Sequence, residues 1–171
     1  MVQTSRPDSP IPGSSVPSSP ERRSFSAQAL LFSRPTSDST AADIGLLLLR
    51  VIAGAALAFA HGMGKVPPSE GFIGRVVGMG LPTPELFAWL AATAEFGGAI
   101  LLVLGLLTRP AALLICGNML IVALLGHAGD PFGDREKAVL FGAIALLYLL
   151  AGAGRFSLDA LIRSRTTSDR R

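Results

Sequence analysis

The sequence predicts an all-α integral membrane protein, a four-helix bundle preceded by a disordered N-terminal tail. Half of the 171 residues are hydrophobic and only 16% are charged. The mean hydropathy is +0.51, too apolar for a water-soluble domain of this length. The apolar residues gather into four runs, each close to the roughly 20 residues that cross about 30 Å of hydrocarbon as a helix. Between Leu86 and Ala128 the only charged side chains are Glu95 and Arg109, so these runs lack the polar stripe that a soluble bundle turns toward water.

Residues 1–43 come first, with six of the twelve prolines and eleven serines. Without apolar periodicity they cannot bury enough surface to offset chain entropy, which predicts a disordered arm. They also lack the apolar core of a secretory signal. The membrane domain, residues 44–162, then reads as Ile44–Gly64, Leu86–Leu107, Pro110–His127 and Ala138–Gly154. Between the first two runs, Phe72, Ile73, Val76 and Val77 recur at helical spacing opposite Arg75, which predicts a short interfacial helix. Leu81-Pro82-Thr83-Pro84 redirects the chain into the second run, and Thr108-Arg109-Pro110 makes a minimal turn before the third. After Arg155, Phe156, Leu158, Leu161 and Ile162 fall on one side of a basic segment that suits a juxtamembrane anchor on anionic lipid. Residues 163–171 are its basic tail.

The net charge of +3 and pI near 9.8 are explained by position. No basic run interleaves with aromatic residues, so nucleic acid is excluded as a partner. An even number of spans puts both termini on one side, which then carries ten cations against the four of Lys65, Arg75, Arg135 and Lys137. The bias of Lys and Arg toward the inner face predicts that both termini are cytoplasmic. The single Cys116 excludes an internal disulfide, a C-x-x-C redox pair and a thiolate zinc site.

Charge inside a span costs on the order of 2.5–3.5 kcal/mol and demands a partner. Arg50 in the first run and Glu95 in the second are such charges. Antiparallel packing is expected to bring them to similar depth, as a buried ion pair or as the groups that orient a ligand between spans one and two. Arg50, Gly54, Leu57 and His61 share a helical face that leads out to Lys65. Ala91, Ala92, Gly98 and Ala99 around Glu95 allow close approach of a neighbouring backbone. His61, Lys65 and His127 form a candidate outer mouth for proton exchange, since histidine titrates near neutral pH. Their spacing, even with Asp130, Asp134 and Glu136, matches no ligand motif, and no metal site is assigned. Asn118 is assigned to an interhelical hydrogen bond and Cys116 to packing. Trp89 and Tyr148 are assigned to the aromatic belt at the membrane interface.

A set of short motifs follows in order: Leu47-Leu48-Leu49-Arg50, His61-Gly62 with Lys65, Gly80-Leu81-Pro82, Glu95 before Gly97-Gly98, Gly105-Leu106-Leu107-Thr108-Arg109, and Gly154-Arg155-Phe156-Ser157-Leu158-Asp159. In this order and spacing, over residues 46–162, the chain resembles the DoxX family of four-helix bacterial membrane proteins. The resemblance implies a multi-pass protein of the bacterial plasma membrane. It also implies association with an oxidoreductase complex that answers oxidative stress and includes soluble enzymes of the superoxide dismutase and sulfurtransferase type. Relatives in the family include a subunit of a thiosulfate:quinone oxidoreductase. It marks Arg50, His61, Lys65, Glu95, Arg109 and the run containing Arg155, Ser157 and Asp159, with Arg109 and that run on the cytoplasmic side.

The favoured reading is a membrane component of an oxidoreductase complex. A quinone-like ligand is then held by Arg50 and Glu95, and His61 exchanges protons at the mouth. No other cofactor is evident. The alternatives are a non-catalytic scaffold or assembly factor that recruits soluble redox enzymes, and a small-solute transporter, for which no inverted repeat is visible. An oligomer is compatible with each, and the residues do not decide whether the chain is itself an enzyme.

Overall fold

The computed structural model describes residues 39–168. The expected disordered arm lies outside the described residues up to residue 38, as do residues 169–171 of the basic tail. The chain runs α1 (Thr40–Lys65), α2 (Glu70–Gly78), α3 (Pro84–Leu104), α4 (Thr108–Gly126), α5 (Phe132–Ala151) and α6 (Leu158–Ser168).

The first helix begins at Thr40, earlier than the expected boundary at Ile44. Ser39 caps it, its Oγ accepting the Ala42 N–H at 3.4 Å, and Asp43 sits in the first turn, where a carboxylate complements the helix dipole. Helices α1, α3 and α4 are long and apolar enough to cross a membrane. Helix α5 is 20 residues long, but Asp134, Arg135, Glu136 and Lys137 occupy its first turns, so its apolar stretch starts at Ala138.

The four long helices pack antiparallel in chain order and close into a ring. Gly54 of α1 lies against Ala99 and Val103 of α3, where an added Cβ would come within 2.7 Å of the Val103 side chain. Gly98 of α3 faces Ile115 and Ala111 of α4. Arg109, at the start of α4, donates to the Leu150 carbonyl near the end of α5 at 3.2 Å. The ring closes where the Tyr148 hydroxyl of α5 donates to the Leu46 carbonyl of α1 at 2.6 Å. Tyr148 is completely buried, which corrects its assignment to the aromatic belt: its ring fills the bundle and its hydroxyl joins two helices.

The packing is inside-out relative to a soluble bundle. Ala58, Ala92, Ala94, Ala99, Ala112 and Ala145 fill the interior, while Ile52, Leu113 and Leu150 point outward with 67%, 61% and 69% of their surface exposed. Small residues inside allow close helix contact, and large apolar residues outside match lipid rather than water. The short helix α2 is capped by Ser69, whose Oγ accepts the Phe72 N–H. It buries Phe72 and Val76 against Ala88 and Ala91 of α3, and so roofs one side of the bundle.

Candidate functional site

Each of the three long apolar helices contains a wide π-helical stretch: Ala56–Gly62 in α1, Thr93–Gly98 in α3 and Val122–Gly126 in α4. Such stretches insert a residue into the helical repeat and often accompany functional sites. Those of α1 and α3 pack directly together. Gly62 touches the Glu95 backbone so closely that an added Cβ would lie 2.5 Å from the Glu95 carbonyl carbon.

This contact fixes the level of Glu95, which is 2% exposed. Its Oε2 lies 2.5 Å from the Lys65 Nζ at the end of α1. Its Oε1 accepts the Asn118 Nδ2–H of α4 at 3.0 Å. Three helices therefore contribute one polar cluster, and both carboxylate oxygens have partners.

The cluster forms the polar end of an otherwise apolar cavity of ≈ 370 Å³ between α3, α4 and the roof helix α2. Phe72, Val76 and Met79 line it from the roof, Phe87, Leu90 and Ala91 from α3, and Leu113, Leu114, Gly117, Ile121 and Val122 from α4. Leu90, Leu113, Leu114 and Gly117 are themselves exposed on the outer face of the bundle, so the rim opens sideways toward lipid. Lys65 also lies 5.1 Å from the centre of the Phe72 ring, and Arg75 sits over the same ring at 5.5 Å. Volume, apolar walls and a few convergent polar groups are the usual attributes of a small-molecule site.

Arg50 is not part of this site, and the expected Arg50–Glu95 ion pair is absent. Glu95 is level with Gly62, so Arg50 lies twelve residues away along α1, or roughly 18 Å at about 1.5 Å per residue. Arg50 instead reaches the end of the bundle that carries the described termini, where it donates to the carbonyls of Ala153 and Phe156. The cavity lies between α2, α3 and α4, not between spans one and two, where the ligand pocket is expected from the sequence.

The outer-mouth residues are dispersed as well. His61 turns toward α5, its ring packed edge-on against Phe141 at 5.7 Å. His127 pairs with Asp130 at 3.0 Å in the α4–α5 loop. Of the three, Lys65 alone lines the cavity. No group of three His, Cys, Asp or Glu side chains gathers to hold a metal among the described residues.

The remaining marked positions build a clasp at the terminal end of the bundle. Asp159 is fully buried, and its oxygens accept the N–H groups of Leu107 and Thr108 at 2.8 and 3.0 Å. Its own N–H donates to the Gly105 carbonyl at 2.9 Å. The Ser157 Oγ donates to the Gly154 carbonyl and accepts the Ala160 N–H, which caps α6. The Arg155 N–H donates to Asp43 Oδ1 at 3.0 Å, and the exposed Arg155 guanidinium lies 3.9 Å from Oδ2. Asp43 is buried, which corrects its placement in the disordered arm. The signal for it was Ser39 four residues earlier, a helix cap that starts the first span sooner.

A profile of the family described as DoxX matches residues 45–128. The chain is similar to "Inner membrane protein YphA" of Escherichia coli (strain K12), at 34% identity over 71% of this chain and 94% of that protein. It is similar to "Inner membrane protein YqjF" of the same organism, at 29% identity over 72% of this chain and 95% of that protein. A third relative, "Putative oxidoreductase CatD" of Bacillus subtilis (strain 168), is 31% identical over 70% of this chain and 88% of that protein. No solved structure matches the chain.

Proposed function

The chain belongs to the DoxX family, and from that premise we propose that it is a membrane subunit of an oxidoreductase complex that binds a quinone-like amphiphile between α2, α3 and α4. The observation that carries this reading is the apolar, lipid-facing cavity that ends on Lys65, Glu95 and Asn118. In this reading a planar ring sits among apolar walls that include Phe72 and Phe87, an isoprenoid or alkyl tail follows the leucines of the rim, and the polar cluster meets the ring oxygens. The oxidoreductase name of the Bacillus subtilis relative supports a redox setting, and the inner-membrane names of the two Escherichia coli relatives support the bacterial plasma membrane.

In this reading Lys65 donates to a ring carbonyl, Asn118 donates and accepts, and Glu95 holds both in position. Soluble redox enzymes, of the superoxide dismutase or sulfurtransferase type, then dock from the cytoplasmic side, where the termini and their arginines lie. The closed clasp of Arg50, Asp43 and Asp159 at that end disfavours a solute path through the bundle.

The test is binding of decylquinone to the purified protein in nanodiscs, measured by isothermal titration. Saturable binding to wild type, weakened at least about tenfold in Asn118→Leu through loss of a buried polar contact, is the expected outcome. Wild-type protein that does not bind decylquinone overturns the reading.

A further inference from the structure

The polar end of the cavity carries two formal charges, and they cancel. Among the described residues, Lys65 and Glu95 are the only charged ones that line it, and they form a salt bridge at 2.5 Å. Arg75 lies on the Phe72 ring and does not line the cavity. After the internal bonds are made, the ammonium of Lys65 retains two N–H donors, and Asn118 retains one N–H and its carbonyl oxygen. A ligand therefore meets both donors and acceptors but no net charge. Around them the walls are apolar, so a charged head brought to this end has no counter-charge and loses its hydration.

We infer that the Lys65–Glu95 pair makes the cavity selective for electrically neutral polar heads and excludes anionic amphiphiles such as fatty acids and acidic phospholipids. The inference rests on the proposed amphiphile site and adds its selection rule. A quinone and its fully reduced hydroquinone are both neutral, and both exchange hydrogen bonds with such a cluster, whereas an anion needs a lone Lys65 and a cation needs a lone Glu95. Glu95 is thus a specificity residue: it silences the charge of Lys65 as much as it positions it.

Three probes with the same decyl tail separate the outcomes: a neutral quinone, a permanently anionic sulfonate and a permanently cationic trimethylammonium. Wild type is expected to bind the quinone at least about tenfold more tightly than either charged probe, because an uncompensated charge is desolvated. Glu95→Gln, which keeps the shape and frees the Lys65 charge, is expected to gain at least about tenfold for the sulfonate. Lys65→Met, at a side chain less buried than Glu95, gains for the trimethylammonium probe instead, so the rule is testable even where Glu95→Gln does not fold. Combining Glu95→Gln with Lys65→Met removes both gains. Wild type that binds the sulfonate as tightly as the quinone, or folded single variants that gain nothing for the charged probe each is matched to, overturns the selection rule while leaving the quinone site standing. Wild type that binds none of the three overturns the underlying reading as well.

Discussion

Asp159 holds Thr108 across 51 positions of sequence: its Oδ2 accepts the Thr108 N–H at 3.0 Å while Oδ1 takes the Leu107 N–H at 2.8 Å. Leu107 needs that support, because it adopts a left-handed backbone at φ 46° without being glycine, a conformation that costs about 1–2 kcal/mol. One buried carboxylate thus satisfies the orphan N–H groups at the start of α4 and stabilises the turn before it.

Asp159→Ala is expected to lower unfolding free energy by about 2–4 kcal/mol, since one buried and one half-buried N–H group lose a charged acceptor. Thermal unfolding in detergent measures the loss, and limited proteolysis should show new cleavage near Leu107. Asp159→Asn, which keeps one acceptor oxygen, should fall between the two.

Arg50→Ala should destabilise the bundle by about 2–4 kcal/mol, because the carbonyls of Ala153 and Phe156 lose a buried guanidinium. The folded fraction should bind decylquinone within about twofold of wild type, since well-separated sites act independently. Paired thermal melts and titrations check both halves of this expectation.

Gly62→Ala places a methyl group 2.5 Å from the Glu95 carbonyl carbon. Backbone cannot give way as a side chain does, so the expected cost is about 1–3 kcal/mol. Because the clash pushes α1 from α3, decylquinone affinity should fall together with stability, in contrast to Arg50→Ala.

Topology is checked by cysteine accessibility in a Cys116→Ser background. An impermeant maleimide added to spheroplasts should label Asp130→Cys in the α4–α5 loop but not Ser164→Cys in α6. Permeabilisation should then expose Ser164→Cys, as both termini on the cytoplasmic face require.

Much of the bundle was legible from apolar runs, since a chain with only Glu95 and Arg109 charged between Leu86 and Ala128 has few ways to fold outside lipid. Helix α2 was legible from Phe72 and Val76 at helical spacing. What sequence did not show was register. Arg50 and Glu95 are each one charge in one run, which suggests a pair, whereas the contact of Gly62 with the Glu95 backbone sets the two charges at depths far apart. The partners that Glu95 does have, Lys65 and Asn118, carry separate expected roles, because nothing in linear order says that α1, α3 and α4 meet at one level. Asp43 escaped for a different reason. It stands beside a proline- and serine-rich stretch, and its burial depends on Gly154, where a side chain would strike its Oδ1.

The wide turns of α1 and α3 give the cavity an unusual sensitivity to chain length. An α-helix advances about 100° per residue, so deleting one residue within Ala56–Gly62 would swing Lys65 about a quarter-turn around its axis, away from Glu95. Deleting one within Thr93–Gly98 would rotate the two ends of α3 against each other, so that Glu95 and the Ala99–Val103 contact with Gly54 could not both keep their orientation. Every side chain of the site could be retained and its angular phase still lost. Insertions and deletions in these two stretches therefore act on the cavity as strongly as substitutions at Lys65 or Glu95.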